Sequence, residues 1–284
     1  MSTVPALFRH LVDDASMFPP GDLPLPEAVT AHRAHLQSAY AGLVGPLVCT
    51  DQDLMKVAEA ARSGADGPLR VSVVISGGAG GIEPAVRWGD RSKDVEVTAV
   101  EVRLRDEDDL SRNALRVVRV CDDCLDEENA YVELGLEGGW ERALDVIADA
   151  GYAAKLRTGG LDASLFPSSD QVASFITACL DREVAFKCTA GLHNAVRHTA
   201  ADTGFEHHGF LNVLLATRAS LDGAAHDDLI ELLDNRDGTE LAARARALSD
   251  DQAASTRRWF TSFGSCSIEE PLHDLITLQL MEAL

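Results

Sequence analysis

Two lysines, one βαβ repeat apart, are the residues of this chain whose type and spacing most directly suggest chemistry. They sit in Ala154-Lys155-Leu156-Arg157-Thr158-Gly159-Gly160 and Ala185-Phe186-Lys187-Cys188-Thr189-Ala190-Gly191, short alternating runs of the kind that form strands. A lysine is a nucleophile only as the free amine, and an ordinary pKa of about 10.4 leaves little of it at neutral pH. A second cation close by, together with burial, exposes the amine. Lys155 and Lys187 on neighbouring strands, with Arg157 beside them, supply both influences. Whether they share one pocket depends on the elements that carry them.

Strand-like runs alternate with helical ones as far as about residue 220, the signature of parallel βα repeats. The expected strands are Arg9–Asp13, Leu47–Thr50, Leu69–Ser76, Val95–Leu104, Ala130–Leu136, Tyr152–Arg157, Val184–Thr189 and Phe210–Leu215. Eight strands with intervening helices predict an α/β fold, a (β/α)8 TIM barrel, over residues 1–235. Helical patterns then run on through 236–284 and predict a helical extension packed on the barrel. Among the helices are Glu107 to Cys124 and Ser169 to Arg182, the latter capped by Ser168 or Ser169. Phe263-Gly264-Ser265-Cys266-Ser267 reads as a turn, or as a loop reaching the pocket rim.

Side chains alternate across a strand, and fully buried parallel strands are normally apolar throughout. Several of these are not. Val100, Val102 and Leu104 share one face and leave Glu101 and Arg103 on the other; Val132, Leu134 and Leu136 leave Tyr131 and Glu133. The apolar parity must meet the helices, so the polar parity faces the barrel interior. That places Glu101, Arg103, Glu133, Lys155, Arg157, Lys187, Thr189 and Asn212 in or above one central space. Buried charges are costly unless paired, so this set is either a site or a self-satisfied ionic layer of two acids and four bases. Glu101 and Glu133 are candidates to relay protons, or to pair with a lysine and hold it charged, which would silence it; Asp13 or Asp14, closing the first strand, is a candidate to reach the same pocket.

The two lysine stretches resemble the sixth and seventh strands of deoxyribose-phosphate aldolase and its class I aldolase relatives. That family carries a lysine followed by Thr-Ser-Thr-Gly on one strand and Phe-Lys-Pro-Ala-Gly-Gly-x-Arg on the next. The resemblance implies a Schiff base on Lys155, a pKa-depressing role for Lys187 and a proton-transfer role for Glu101. This chain departs from the pattern at Arg157, where the family has a small hydroxyl residue, and at Leu192-His193, where it has the phosphate-associated turn. Arg157, Arg197 or the glycine loop Gly77 to Gly81 would then have to meet a substrate anion.

The catalytic candidates are therefore Lys155, Lys187, Glu101, Glu133 and His193, which follows the seventh strand. The substrate-binding candidates are Asp13, Arg103, Arg157, Thr189 and Asn212. No organic cofactor is expected, and no ligand spacing specifies a metal. Two other readings stand beside the aldolase one. Asp13, Asp14, Glu101, Glu133 and His193 could hold a divalent metal in a lyase or isomerase, or Lys155, Arg157 and Lys187 could bind an anionic metabolite without turnover. Glu206-His207-His208, preceding the expected eighth strand, would lie at the opposite end of the barrel.

The formal charge of −21 argues against a general affinity for nucleic acid or anionic membrane, both of which need a basic face. The expected partner is a small anionic or carbonyl substrate, with Leu272 to Leu284 available for a homo-oligomeric contact. Six scattered cysteines suit a reducing compartment, and the lone Cys121-Asp122-Asp123-Cys124 lacks the second pair of a zinc site. Met1-Ser2-Thr3-Val4 begins no targeting segment and no run is long enough to span a bilayer, so a cytoplasmic protein is expected.

Overall fold

The computed structural model describes residues 4–62, 67–105 and 109–282. Met1 to Thr3, Glu107 and the last two residues of the expected Leu272 to Leu284 helix lie outside that range. Six βα units open the chain: β1 (Val12–Asp14) and α1 (Leu25–Leu36), β2 (Val44–Thr50) and α2 (Leu54–Ala61), β3 (Leu69–Ile75) and α3 (Ile82–Gly89), β4 (Val95–Arg103) and α4 (Leu110–Cys124), β5 (Asn129–Leu134) and α5 (Trp140–Asp149), β6 (Ala153–Arg157) and α6 (Ser169–Asp181). Each helix buries one stripe on the sheet. In α5 that stripe is Trp140, Ala143, Leu144 and Ile147, the spacing of an amphipathic helix. Ser168 caps α6, exchanging bonds with Gln171 in a capping box.

After β7 (Phe186–Thr189) the chain departs from the expected order. A two-residue-strand hairpin, β8 (His198–Thr199) and β9 (Glu206–His207), leads into four helices: α7 (Phe210–Leu221), α8 (His226–Asp234), α9 (Gly238–Arg246) and α10 (Asp250–Trp259). Then comes β10 (Phe260–Ser265), and α11 (Glu269–Thr277) follows it. The barrel closes in the order β1-β10-β7-β6-β5-β4-β3-β2, all neighbours parallel. The (β/α)8 barrel is thus present, with extra helices in its C-terminal third. Its eighth strand, however, is Phe260–Ser265, drawn from the stretch assigned to the extension, so the barrel does not end at residue 235.

The physical reason is burial on all sides. Every residue from Phe210 to Thr217 is buried in α7, and a helix apolar all round gives the same sequence signal as a doubly buried strand. Asn212 therefore lies outside the barrel interior. Its amide donates to the carbonyls of Leu232 and Asn235 at 2.7 and 2.8 Å, and its Oδ1 accepts from the Arg197 N–H at 2.9 Å. The true eighth strand is rich in aromatic and hydroxyl residues that suit a pleated surface. Phe260 stacks on Phe186, and Phe263 stacks on Phe210 of α7, with centroids 5.3 and 5.0 Å apart.

Arg257 closes the N-terminal end of the barrel, donating to the carbonyls of Leu7, Arg9, Phe260 and Thr261. Leu272, Leu275 and Leu280 are buried in this chain's own hydrophobic core. All six cysteines are free thiols, and no helix among the described residues is long and apolar enough to cross a membrane.

Candidate functional site

The parity argument holds at the centre of the barrel. Lys155 Nζ lies 2.6 Å from Glu101 Oε2 and 3.1 Å from Glu133 Oε2. Lys187 Nζ lies 2.7 Å from Glu101 Oε1 and 2.5 Å from Asp13 Oδ2. Arg157 Nε reaches Glu133 Oε1 at 3.2 Å. Asp13, Glu101 and Glu133 thus face Lys155, Lys187 and Arg157, three charges of each sign. Two hydroxyls complete the set: Ser72 donates to Glu101 at 2.6 Å and Ser262 to Asp13 at 2.8 Å.

Local structure explains why these groups can converge. Asp13 needs space beside β2, and Gly45 provides it, since a β-carbon there would sit 2.1 Å from Asp13 Oδ1. Tyr131 presents its ring to the Lys187 ammonium at 5.1 Å from the centroid, a favourable cation–π distance. Its hydroxyl pairs with Thr261 at 3.2 Å.

The electrostatics follow from these distances. Burial disfavours the Glu101 carboxylate, but the two lysine ammonium groups outweigh it and hold its pKa well below the ordinary glutamate value. Burial is likewise overcome at Glu133 by Lys155 and Arg157. At Lys187 burial works against the charge, and Asp13 and Glu101 reverse the outcome, raising its pKa. Burial raises the Asp13 pKa against the pull of Lys187, so Glu101 is the firmer of the two anions that hold the Lys187 ammonium, and it stands between Lys187 and Lys155.

The remaining predicted residues occupy other places. Asp14 points away from the interior and pairs with the buried His32 of α1 at 2.9 Å. Arg103 is on the rim, its side chain 58% exposed and its Nε 3.9 Å from Glu133 Oε1. Thr189 closes β7 as the register partner of Arg157 and of Gly264. His193 Nδ1 meets Glu270 at 3.1 Å, with the Ser265 hydroxyl and the Cys266 thiol at 3.4 and 3.5 Å. Burial lowers the His193 pKa against the opposing pull of Glu270, and burial and Glu270 push the Cys266 thiol up to about 11.

Glu206 and His207 are not at the far end of the barrel. Because Phe210–Leu221 is a helix, the β8–β9 hairpin folds back over the C-terminal ends of β6 and β7. His207 Nδ1 lies 3.2 Å from the Gly191 carbonyl and its ring 4.7 Å from that of Phe166. His193 and the Cys266 loop do meet at the rim, but Ser262 and Glu270 are not among the sequence candidates, because β10 lies in the stretch read as the helical extension. The β-favouring run Phe260-Thr261-Ser262-Phe263 was the available signal.

The proposed metal set is not assembled. Asp14 is turned toward His32, His193 toward Glu270, and Asp13, Glu101 and Glu133 toward cations. Among the described residues no three His, Cys, Asp or Glu side chains converge as metal ligands.

No protein family and no curated protein matches this chain in sequence. Solved structures give likenesses of overall shape. A Yersinia pestis DHPS matches with 10% identity and a TM-score of 0.45, covering 96% of this chain and 94% of its own. A protein named as a fructose-1,6-biphosphate aldolase from Coccidioides immitis matches with 10% identity and a TM-score of 0.41, covering 89% of each chain. The dihydropteroate synthase of Xanthomonas albilineans gives 11% and 0.36, with 98% and 95% covered. These values are too low to carry an argument about chemistry, and the barrel assignment rests on the strand order itself.

Proposed function

We propose that this barrel is an enzyme of the lyase type whose reacting group is the Lys155 amine, forming a Schiff base with a small carbonyl metabolite. The observation that supports it is that Lys155 Nζ lies within proton-transfer reach of Glu101 and Glu133 and next to Arg157, whose side chain is 36% exposed, so that it is the lysine nearer the mouth. Lys187, deeper and 1% exposed, serves as the counter-ion that keeps Glu101 ionised. Its role is to hold a carboxylate in place and not to act as a bare cation on Lys155.

Charge balance favours this chemistry. An iminium carries the same single positive charge as the ammonium it replaces, so the three carboxylates that balance Lys155, Lys187 and Arg157 before reaction balance the layer afterwards. No net charge is buried or released at the layer, which avoids the penalty an unpaired interior charge would incur. Glu133 takes a proton from the ammonium, the freed amine attacks the carbonyl carbon to form the C–N bond as the C=O π bond opens, and the nitrogen's surplus proton passes to the alkoxide to give the carbinolamine. The same carboxyl then returns the proton to the carbinolamine hydroxyl, which leaves as water.

The chain has four lysines, Lys56, Lys93, Lys155 and Lys187, which makes the test simple. Incubation with a panel of small aldehydes and ketones, followed by borohydride reduction and peptide mass mapping, is expected to place a saturable adduct on Lys155. Lys155→Arg, which preserves the charge, is expected to abolish it. An unmodified Lys155 across the panel overturns the proposal.

A further inference from the structure

We infer that Arg103 and Arg157 form an anion subsite at the mouth of the barrel, so that the carbonyl compound reaching Lys155 carries a carboxylate or phosphate. The carbonyl end of this statement rests on the Schiff-base reading; the anion subsite stands on separate observations.

The first is a row of register partners. Arg103, Glu133, Lys155, Lys187 and Ser262 are paired in turn across β4, β5, β6, β7 and β10. Strands tilt in a closed barrel, so a row of partners runs obliquely to its axis. Here the row descends from Arg103, 58% exposed, through Lys155 at 5% to Lys187 at 1%. It is a ramp from solvent to core, with guanidinium at the top and amine below.

The second is the charge count. Asp13, Glu101 and Glu133 are already matched by Lys155, Lys187 and Arg157. Among the described residues of the layer Arg103 is a fourth positive charge, at the open end, in a chain whose net charge is −21. Both guanidiniums approach the same oxygen, Glu133 Oε1, through Nε, at 3.2 and 3.9 Å. They are therefore held side by side at the mouth by one carboxylate. Guanidinium forks match carboxylate and phosphate geometry, and two of them side by side fit an anion there.

The third is dimension. Arg103 and Lys155 lie two strands apart, about 10 Å between their Cα atoms at the usual strand spacing. Lys155 extends into the barrel and Arg103 lies on its rim, both in contact with Glu133, so an anion between the arginines and a carbonyl at Lys155 belong to one short molecule. The substrate class is a small oxo-acid or a short phosphorylated carbonyl compound.

The test uses anions that have no carbonyl to trap, so it is independent of Schiff-base formation. Calorimetric titration of the intact protein with propionate and with methyl phosphate is compared with propionamide as the neutral control. Saturable binding of one anion is expected, weakened roughly tenfold in Arg103→Gln and in Arg157→Gln, the loss of one charge-assisted contact each. Arg244→Gln, which removes an exposed pairing with Glu240, is expected to bind as the parent does. Tighter binding of propionate assigns the oxo-acid class, and tighter binding of methyl phosphate the phosphorylated one. Absence of saturable binding for both anions, or equal affinity in the parent and both arginine variants with unchanged melting temperatures, overturns the subsite. If anions bind through the arginines and no carbonyl is ever trapped on Lys155, the subsite stands and the Schiff-base reading fails.

Discussion

Glu101→Gln is the perturbation that most sharply probes the ionic layer. Glu101 accepts from Lys155 at 2.6 Å, Lys187 at 2.7 Å and Ser72 at 2.6 Å. Glutamine keeps one acceptor oxygen and turns an N–H2 toward an ammonium, leaving two carboxylates against three cations. Breaking a buried ion pair in this way costs about 3–5 kcal/mol. At roughly 2–4 °C per kcal/mol for a chain of this size, the melting temperature falls by about 10 °C. Adding Lys155→Met restores the balance to two charges of each sign, so the double variant is more stable than additivity predicts by at least about 1 kcal/mol. The pH dependence has a definite sign. Glu101 and Glu133 are held below the ordinary value of 4.5, so their contribution is present above it and is lost as pH falls through the depressed folded values. The raised Lys187 value places its contribution below the ordinary 10.5, to be lost only as pH rises through the higher folded value. Urea unfolding from acid to neutral pH measures the carboxylate part, and an alkaline series measures the lysine part. The expected result is a large loss at pH 7 with a shallower acid slope in Glu101→Gln. A single variant within about 1 kcal/mol of the parent, or an additive double variant, would refute the reasoning.

Three further outcomes follow from individual contacts. Gly45→Ala forces Asp13 away from Lys187, because its β-carbon would lie 2.1 Å from Asp13 Oδ1; a loss of at least about 2 kcal/mol in a urea melt is expected. Asn212→Ala strands the carbonyls of Leu232 and Asn235 and the Arg197 N–H, and should cost about 2–4 kcal/mol while leaving carbonyl trapping at Lys155 intact. His193, lowered by burial and supported by Glu270, should titrate below an ordinary histidine by NMR. Glu270→Gln should lower it further, and an upward shift would contradict the assigned contact.

The interior charges were legible because strand alternation is a strict period of two. Once Val100 and Val102 face the helices, Glu101 must face inward, and the same step located Glu133, Lys155 and Lys187 without any partner being known. The eighth strand was not legible for the converse reason. Phe210 to Thr217 is buried on every side, and a short apolar run does not disclose whether it is helix or strand. The actual strand, Phe260–Ser265, begins directly after a helix ending in Arg257-Arg258-Trp259 and alternates poorly, with a register shift between Phe260 and Ser262. That one exchange moved Asn212 out of the barrel, brought Ser262 in, and carried His207 to the same end as the lysines. The pairing of Asp14 with His32 was also hidden, since two adjacent aspartates on a strand point to opposite faces and the sequence does not say which one is inside.

Whether Lys155 is an amine that meets carbonyl compounds is measured directly by borohydride trapping with residue-level mass mapping on the parent protein. The prediction is a saturable adduct on Lys155, absent from Lys187, which Asp13 and Glu101 hold as a buried ammonium. Labelling confined to the exposed Lys56 and Lys93, or spread without saturation over all four lysines, would contradict it.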